Sequence, residues 1–130
     1  MEDKIVDIRQ YSPLTLAYMG DCIFDLCVRE YLLKQANMPA NKLHQKSKAL
    51  VNATSQSKMY KELIDMVSEE EKSILKRGRN ANSNTKAKNA TMIDYKNATG
   101  LEALFGYLYL KGEQQRINEL FKICLDIMNN

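Results

Sequence analysis

Two acidic side chains lie inside strongly apolar segments of the sequence, where a charge is unexpected. Asp21 lies in the apolar run 14–33, and Glu102 is the one charged residue in the run 101–110. A buried carboxylate is costly unless a cation or strong hydrogen bonds compensate it. If the two carboxylates meet, either one keeps its proton or a hard divalent cation binds between them.

Glycines accompany both acids and favour a close meeting of the two segments. Gly20 directly precedes Asp21, and Gly100 and Gly106 flank Glu102. Because a missing side chain lets helices approach closely, we expect the helices to cross near these glycines and bring Asp21 and Glu102 together. Neither acid has a basic residue at helical spacing, so we predict that both bind Mg²⁺, which prefers oxygen ligands and keeps several waters. A water made more acidic by the ion could attack a phosphodiester.

Other residues with reactive side chains are less suited to such a site. Asp25 has Arg29 one helical turn beyond it, which favours an ordinary ion pair. His44, the only histidine, lies in a lysine-rich segment, where an RNA contact or plain exposure is favoured over proton transfer. The cysteines form no Cys-x-x-Cys pair, so neither a zinc fold nor a disulfide framework is expected. These cysteines are Cys22, Cys27 and Cys124.

Basic residues are concentrated in two acid-free blocks, although the net charge is only +3. Residues 31–61 and 72–93 each carry six lysines or arginines and no acid, whereas the rest of the chain carries 7 bases and 16 acids. Paired positive surfaces repel one another unless phosphates neutralise them, so the blocks favour a polyanionic partner. The predicted nucleic-acid contacts are in the second block: Lys76, Arg77, Arg79, Lys86 and Lys88.

The elements that must position these residues are helical. The sequence has no clean apolar–polar alternation and no hairpin signal, so we predict an all-α fold with one domain over residues 1–130. The first helix is apolar almost all round, which predicts burial in the core. Predicted helices cover about 13–34, from about 39, from about 54, 68–78, 97–112 and 113–128.

Two local signals delimit the fourth helix. Ser68 with Glu71 three residues later matches a capping box, and Gly78 reads as a stop. The polar run 79–89 is therefore expected to form a mobile, basic loop.

Membrane and secretion signals are absent from the sequence. No run approaches the roughly 20 apolar residues of a membrane span. Glu2 and Asp3 make the first residues acidic where a secretory signal is basic. We expect a cytoplasmic protein with no membrane partner.

Three segments together resemble the ribonuclease III family. Residues 17–26, AYMGDCIFDL, resemble the signature helix of that family, and residues 101–109, LEALFGYLY, resemble its second catalytic segment. Residues 75–81, LKRGRNA, are similar to a stretch of the Mini-III ribonucleases. The resemblance covers about residues 13–125 and leaves no separate double-stranded RNA-binding domain, which also points to the Mini-III branch.

This resemblance implies an all-helical, homodimeric endonuclease that uses Mg²⁺ and cuts double-stranded RNA, with the 23S ribosomal RNA precursor as the expected substrate. Asp21 and Glu102 match the catalytic, metal-binding acids of the family. Larger members carry further acids where this chain has Leu14, Ala17 and Thr99, so one ion per site is the preferred interpretation. Whether a ribosomal protein assists is left open.

Two other interpretations stay open. The missing acids are compatible with a catalytically silent RNA-binding module of the same fold that acts in ribosome assembly. A helical dimerisation adaptor is the third, and it predicts weak RNA affinity that hardly depends on salt. Cleavage of an RNA duplex that disappears in EDTA and in Asp21→Asn would distinguish the enzyme from both.

Overall fold

The chain folds into helices throughout the part that the computed structural model describes, residues 6–81 and 91–130. No strand occurs in these two ranges, which confirms the predicted all-α class. None of the helices there has the length and hydropathy needed to cross a bilayer. After a short 3-10 helix, Ile8–Gln10, the helices are α1 Pro13–Gln35, α2 Ala40–Leu50, α3 Ala53–Leu63, α4 Glu69–Asn80, α5 Met92–Leu110 and α6 Gln114–Met128.

Side-chain caps fix where several helices begin. Ser12 accepts a hydrogen bond from the Thr15 N–H at the start of α1, and Pro13 occupies the first helical position. The predicted capping box of α4 is confirmed: the Glu71 N–H donates to Ser68 Oγ, and the Ser68 N–H donates to Glu71 Oε1.

Three predicted boundaries were wrong. Asn52 caps α3 by accepting from the Ser55 N–H, whereas the sequence favours Thr54, two residues later, as the cap. Helix α5 begins at Met92 rather than near residue 97, because Thr91 Oγ1 accepts from the Asp94 N–H. Helix α4 continues past Gly78 to Asn80, so Arg79 is helical rather than part of a loop. A glycine that stops a helix adopts a positive φ; Gly78 does not, and it packs against α5 instead.

Helix α5 is the centre of the fold, with α1, α3 and α4 packed around it. From Asn97 to Leu108, every residue of α5 is buried except Glu102, which is half-buried. Phe105 of α5 meets Phe24 of α1 edge to face with ring centroids 5.3 Å apart. The second apolar segment of the sequence is therefore the core helix, and its single acid lies at the edge of the core.

Glycine replaces a side chain at the point where α1 crosses α5. A Cβ atom built on Gly20 would lie 1.6 Å from the Glu102 carbonyl oxygen, and one built on Gly106 would lie 2.0 Å from the Leu16 carbonyl oxygen. Neither position has room for a methyl group, so the two backbones touch. The predicted crossing at Gly20 and Gly106 is confirmed.

Gly100 takes part in a different crossing from the one predicted. A Cβ atom on Gly100 would lie 2.6 Å from the Leu75 carbonyl oxygen, and one on Gly78 would lie 2.8 Å from Ala103 Cβ. These two glycines join α4 to α5, on a side of α5 other than the side that meets α1. Helix α5 therefore packs closely against α1 at one pair of glycines and against α4 at another.

Helix α1 is not buried all round, which corrects the prediction made from its composition. Tyr18 is 83% exposed and Leu26 is 60% exposed, and Cys22 between them is also exposed. The spacing of four residues puts these three side chains on one side of the helix. Apolar composition alone does not distinguish a core face from a face that remains on the surface.

Candidate active site

Asp21 and Glu102 are brought together by the crossing of α1 and α5. Gly20 precedes Asp21 in the chain and lies against the Glu102 backbone. The two carboxyl groups consequently lie close together, and burial and the proximity of Asp21 raise the pKa of Glu102. Asp21 is exposed and Glu102 is half-buried. The pair therefore lies where the contact between α1 and α5 reaches the protein surface.

The environment of Glu102 strongly disfavours its charge. Burial, and then the neighbouring charge of Asp21, raise the pKa of Glu102 to about 8. Without a cation, Glu102 therefore keeps its proton at neutral pH. Its O–H group can then donate a hydrogen bond to Asp21. Converging carboxylates allow two arrangements. In one of them a carboxyl group keeps its proton, as Glu102 does here, and in the other a cation binds between the two charged groups.

No basic side chain in the described ranges neutralises these two acids. Neither Asp21 nor Glu102 takes part in the ion pairs found there. Asp25, in contrast, accepts from Arg29 Nε at 3.0 Å, which confirms the pairing predicted for it. Asp21 and Glu102 thus differ from Asp25 in having no partner cation among these residues.

The donor set fits Mg²⁺ held by two carboxylates. This ion commonly binds through one or two carboxylates and keeps several waters. The described residues contain no group of three or more histidines, cysteines or acids that could hold a metal, so a cluster of many protein ligands is not formed there. Thr99, one of the positions for which the resemblance implied an acid in larger family members, is buried and donates its hydroxyl to the Tyr95 carbonyl oxygen.

Gln56 is a residue of the site that the sequence analysis missed. It lies in the first turns of α3, is only 4% exposed, and its side-chain amide lies near enough to Glu102 to lower the pKa of that carboxyl. Its Nε2 atom completes no hydrogen bond with the described residues. A glutamine in a polar helix ordinarily faces water, so the sequence carried no signal for this placement.

The predicted RNA-binding residues have different surroundings. Lys76 and Arg77 are exposed on α4, whereas Arg79 is half-buried and its Nε donates to Asn97 Oδ1 at 3.0 Å. The expectation that Arg79 belongs to a loop was wrong, because it lies in the last turn of α4. Lys86 and Lys88 fall outside the described residues.

Arg79 is part of a polar chain that joins three helices. Asn97 of α5 accepts from Arg79 and donates from Nδ2 to Ser57 Oγ of α3 at 3.0 Å. Ser57 and Asn97 are both buried, so these hydrogen bonds satisfy polar groups that would otherwise be unpaired. This gives Arg79 a structural role that its sequence position did not indicate.

His44 lies in a groove of about 500 Å³ between α1 and α2, lined also by Arg29 and Leu32. Neither Asp21 nor Glu102 lines this groove. The side chain of His44 is exposed, which is one of the two placements expected for it.

This all-α chain, whose central helices bring two carboxylates together, is similar in sequence to known proteins. Residues 14–113 match the family model for the Ribonuclease III domain. The chain belongs to the ribonuclease III family, and it is an endoribonuclease that acts on double-stranded RNA.

Within this family the similarity is to proteins named Mini-ribonuclease 3. The protein of that name from Clostridium tetani is 43% identical over 93% of this chain and 81% of its own length. The one from Brevibacillus brevis is 44% identical over 98% of this chain and 95% of its own length. The crystal structure of a Fusobacterium nucleatum protein, 39% identical, superposes with a TM-score of 0.85 over 94% of this chain and 99% of that chain. The family expected from the three sequence segments is confirmed.

Proposed function

We propose that this endoribonuclease uses Mg²⁺ and matures the ends of the 23S ribosomal RNA precursor in the cytoplasm. Asp21 and Glu102 are the proposed catalytic, metal-binding acids. The observation that carries this assignment is the meeting of two carboxylates at a backbone contact of α1 with α5, with no neutralising base among the described residues. The ribosomal substrate rests on the resemblance to the Mini-III ribonucleases.

The two acids are differently placed to bind the ion. Glu102 is half-buried on the core helix, whereas Asp21 is exposed and can be reached from solvent. When bound, Mg²⁺ supplies a more acidic water for attack on the phosphodiester and stabilises the charge that grows on the phosphate. Because only two carboxylates converge among the described residues, we propose one ion per site, with waters completing its coordination.

RNA binding is assigned to the basic residues at the end of α4 and after it. Lys76 and Arg77 are exposed and can meet phosphates, and we keep Arg79, Lys86 and Lys88 in the proposed contact set. An A-form duplex presents its backbone rather than its base edges, so contacts of this kind read shape more than sequence.

A homodimer is the proposed working form. The exposed side of α1, with Tyr18, Cys22 and Leu26, is an apolar surface of the kind that marks protein interfaces. A twofold arrangement would place two copies of the acid pair on one RNA duplex, so that both strands are cut.

The test is an incubation of the chain with a perfect RNA duplex in Mg²⁺ and then in EDTA. We expect cleavage in Mg²⁺ alone, and none from Asp21→Asn under either condition. Cleavage of precursor 23S RNA is measured with the free RNA and with the RNA bound to ribosomal proteins. The comparison tests whether a ribosomal protein assists cleavage.

The second candidate is a silent RNA-binding module, which the small number of acids in the site favours. Tight duplex binding without products, in Mg²⁺ and at several salt concentrations, would support the module and contradict the enzyme.

A further inference from the structure

One buried polar group near the acid pair has no partner in the described ranges. Gln56 is 96% buried, yet its Nε2 atom makes no hydrogen bond there, and no other buried side-chain nitrogen or oxygen in these ranges is left so. An unpaired buried amide destabilises a fold, so its presence calls for a physical reason.

The neighbours of Gln56 show that the fold can satisfy such groups. Ser57, the next residue on α3, accepts from Asn97, and Asn97 in turn accepts from Arg79. The buried polar groups behind the site are therefore paired with one another, and Gln56 stands outside that chain. Its amide lies near Glu102 instead and lowers the pKa of that carboxyl.

A carboxylate that binds a cation needs more than the cation to hold its orientation. Its two oxygens have about four acceptor sites, and the ion uses only some of them. Metal-binding carboxylates are accordingly hydrogen-bonded by residues that do not touch the metal. Gln56 Nε2 supplies two N–H donors beside Glu102, and no Lys or Arg of the described residues competes for that carboxylate.

We infer that Gln56 is a positioning residue that donates from Nε2 to Glu102 when the cation is bound, and so orients this acid toward the ion. The inference rests on the proposed Mg²⁺ site of Asp21 and Glu102 and adds the residue that supports it. In this role Gln56 touches neither the RNA nor the metal. The cost of its unpaired amide in the free protein is recovered when the cation binds.

The first test compares Mg²⁺ binding by the full chain and by Gln56→Met, a variant of similar length without donors. Dissociation constants are measured by NMR titration without RNA. We expect Gln56→Met to bind Mg²⁺ about tenfold more weakly, within the range of roughly 10–100-fold seen when such supporting partners are removed. Its unfolding temperature is expected to stay the same or rise, because the unpaired amide is gone.

The matched control is Ser57→Ala, the adjacent buried polar residue. This change removes the acceptor of Asn97, so it is expected to lower the unfolding temperature and leave the Mg²⁺ dissociation constant unchanged. If both variants weaken Mg²⁺ binding equally, the effect belongs to packing and the role assigned to Gln56 is wrong.

The second test needs no change at Gln56. The side-chain NH₂ signals of Gln56 in the unaltered chain are expected to move downfield as Mg²⁺ is added, and to stay in place in Asp21→Asn. Signals that do not move when Mg²⁺ saturates the unaltered chain would overturn the inference.

The outcomes separate this inference from the function on which it rests. If the unaltered chain does not bind Mg²⁺, or if Asp21→Asn binds Mg²⁺ equally well, the proposed metal site and the role of Gln56 both fail. If Asp21 is required but Gln56→Met binds within about twofold of the unaltered chain, well below the cost of losing a supporting partner, only the role of Gln56 fails.

Discussion

Glu102 combines a position at the edge of the core with a like-charged neighbour. Its pKa of about 8 is far above its ordinary value of 4.5. The folded chain thus holds this proton more tightly than the unfolded chain does, and folding stability must fall as the pH rises through the interval between these two values. Both burial and Asp21 contribute to that loss.

The first prediction concerns this pH dependence. In EDTA, we expect the free energy of unfolding of the unaltered chain to decrease as the pH rises from about 4.5 to about 8, and Glu102→Gln to abolish that decrease. Urea unfolding at pH 5, 6.5 and 8 measures it. A parallel decline in both proteins would assign the pH dependence to other groups.

The second prediction concerns catalysis by the same residue. Glu102→Gln keeps the size of the side chain and removes the carboxylate charge that we propose binds Mg²⁺. Cleavage is therefore expected to fall by more than about a hundredfold. Duplex affinity, measured by filter binding in Ca²⁺-free buffer without Mg²⁺, is expected to persist. Turnover equal to that of the unaltered chain would remove Glu102 from the catalytic role.

At the residue scale, the sequence predicted what depends on short spacing or on chemical type. Asp25 and Arg29 are one turn apart and form an ion pair, and the capping box of α4 follows the same kind of local rule. The burial of Gln56 depends on how α3 meets α5, which no local pattern encodes.

At the element scale, the positions of glycines decide how closely the helices pack. The third prediction is that Gly20→Ala destabilises the chain by about 3 kcal/mol or more, because its Cβ would meet a backbone oxygen that cannot move away easily. Gly112→Ala is the control, since Gly112 has a positive φ of 84° but open space around it. We expect it to cost about 1 kcal/mol. Thermal unfolding measures both, and equal losses would contradict the close crossing.

The fourth prediction separates two arginines of α4. Arg77→Glu is expected to weaken duplex binding and leave the unfolding temperature nearly unchanged, because Arg77 is exposed. Arg79→Glu is expected to cost about 1–2 kcal/mol of stability as well, because it breaks the hydrogen bond to Asn97. Binding and unfolding are measured on both variants. Equal unfolding temperatures would show that the contact with Asn97 contributes little.

The helices themselves could be predicted better than their ends and contacts. Residues 92–96, MIDYK, did not indicate the start of α5, because a run of five residues of mixed character is too short to show the apolar periodicity that marks a helix. Gly78 has the residue type of a helix stop, and only its contact with Gly100 shows that it is a packing residue. A local side-chain cap at Thr91 sets the start of α5, whereas a tertiary contact explains Gly78.

At the scale of the whole molecule, the exposed side of α1 is the feature that composition did not predict. A segment that is apolar all round indicates burial, and it does not say whether the same chain or a second copy provides the cover. Tyr18 and Leu26 are left open to solvent by the described residues of this chain. The homodimer that we propose would cover them.

The fifth prediction tests that dimer. Tyr18→Asp is expected to convert the protein to a monomer without unfolding it, because a charge on an interface resists burial. Met66→Asp, at another exposed apolar residue away from α1, is the control and is expected to leave the oligomeric state unchanged. Sedimentation velocity measures both. A monomeric unaltered protein would exclude the dimer, and an unchanged dimer in Tyr18→Asp would exclude this surface as its interface.

The contact of α1 with α5 also links activity to folding as a whole. Since Gly20 and Gly106 bring main chain against main chain, rotamer changes in the surrounding side chains cannot alter the spacing of the two backbones that carry the acids. These backbones separate only if the central helix leaves its neighbour, which dismantles the core. Heat inactivation and global melting are therefore expected to share one midpoint, and variants selected for thermal resistance are expected to keep their activity to correspondingly higher temperatures.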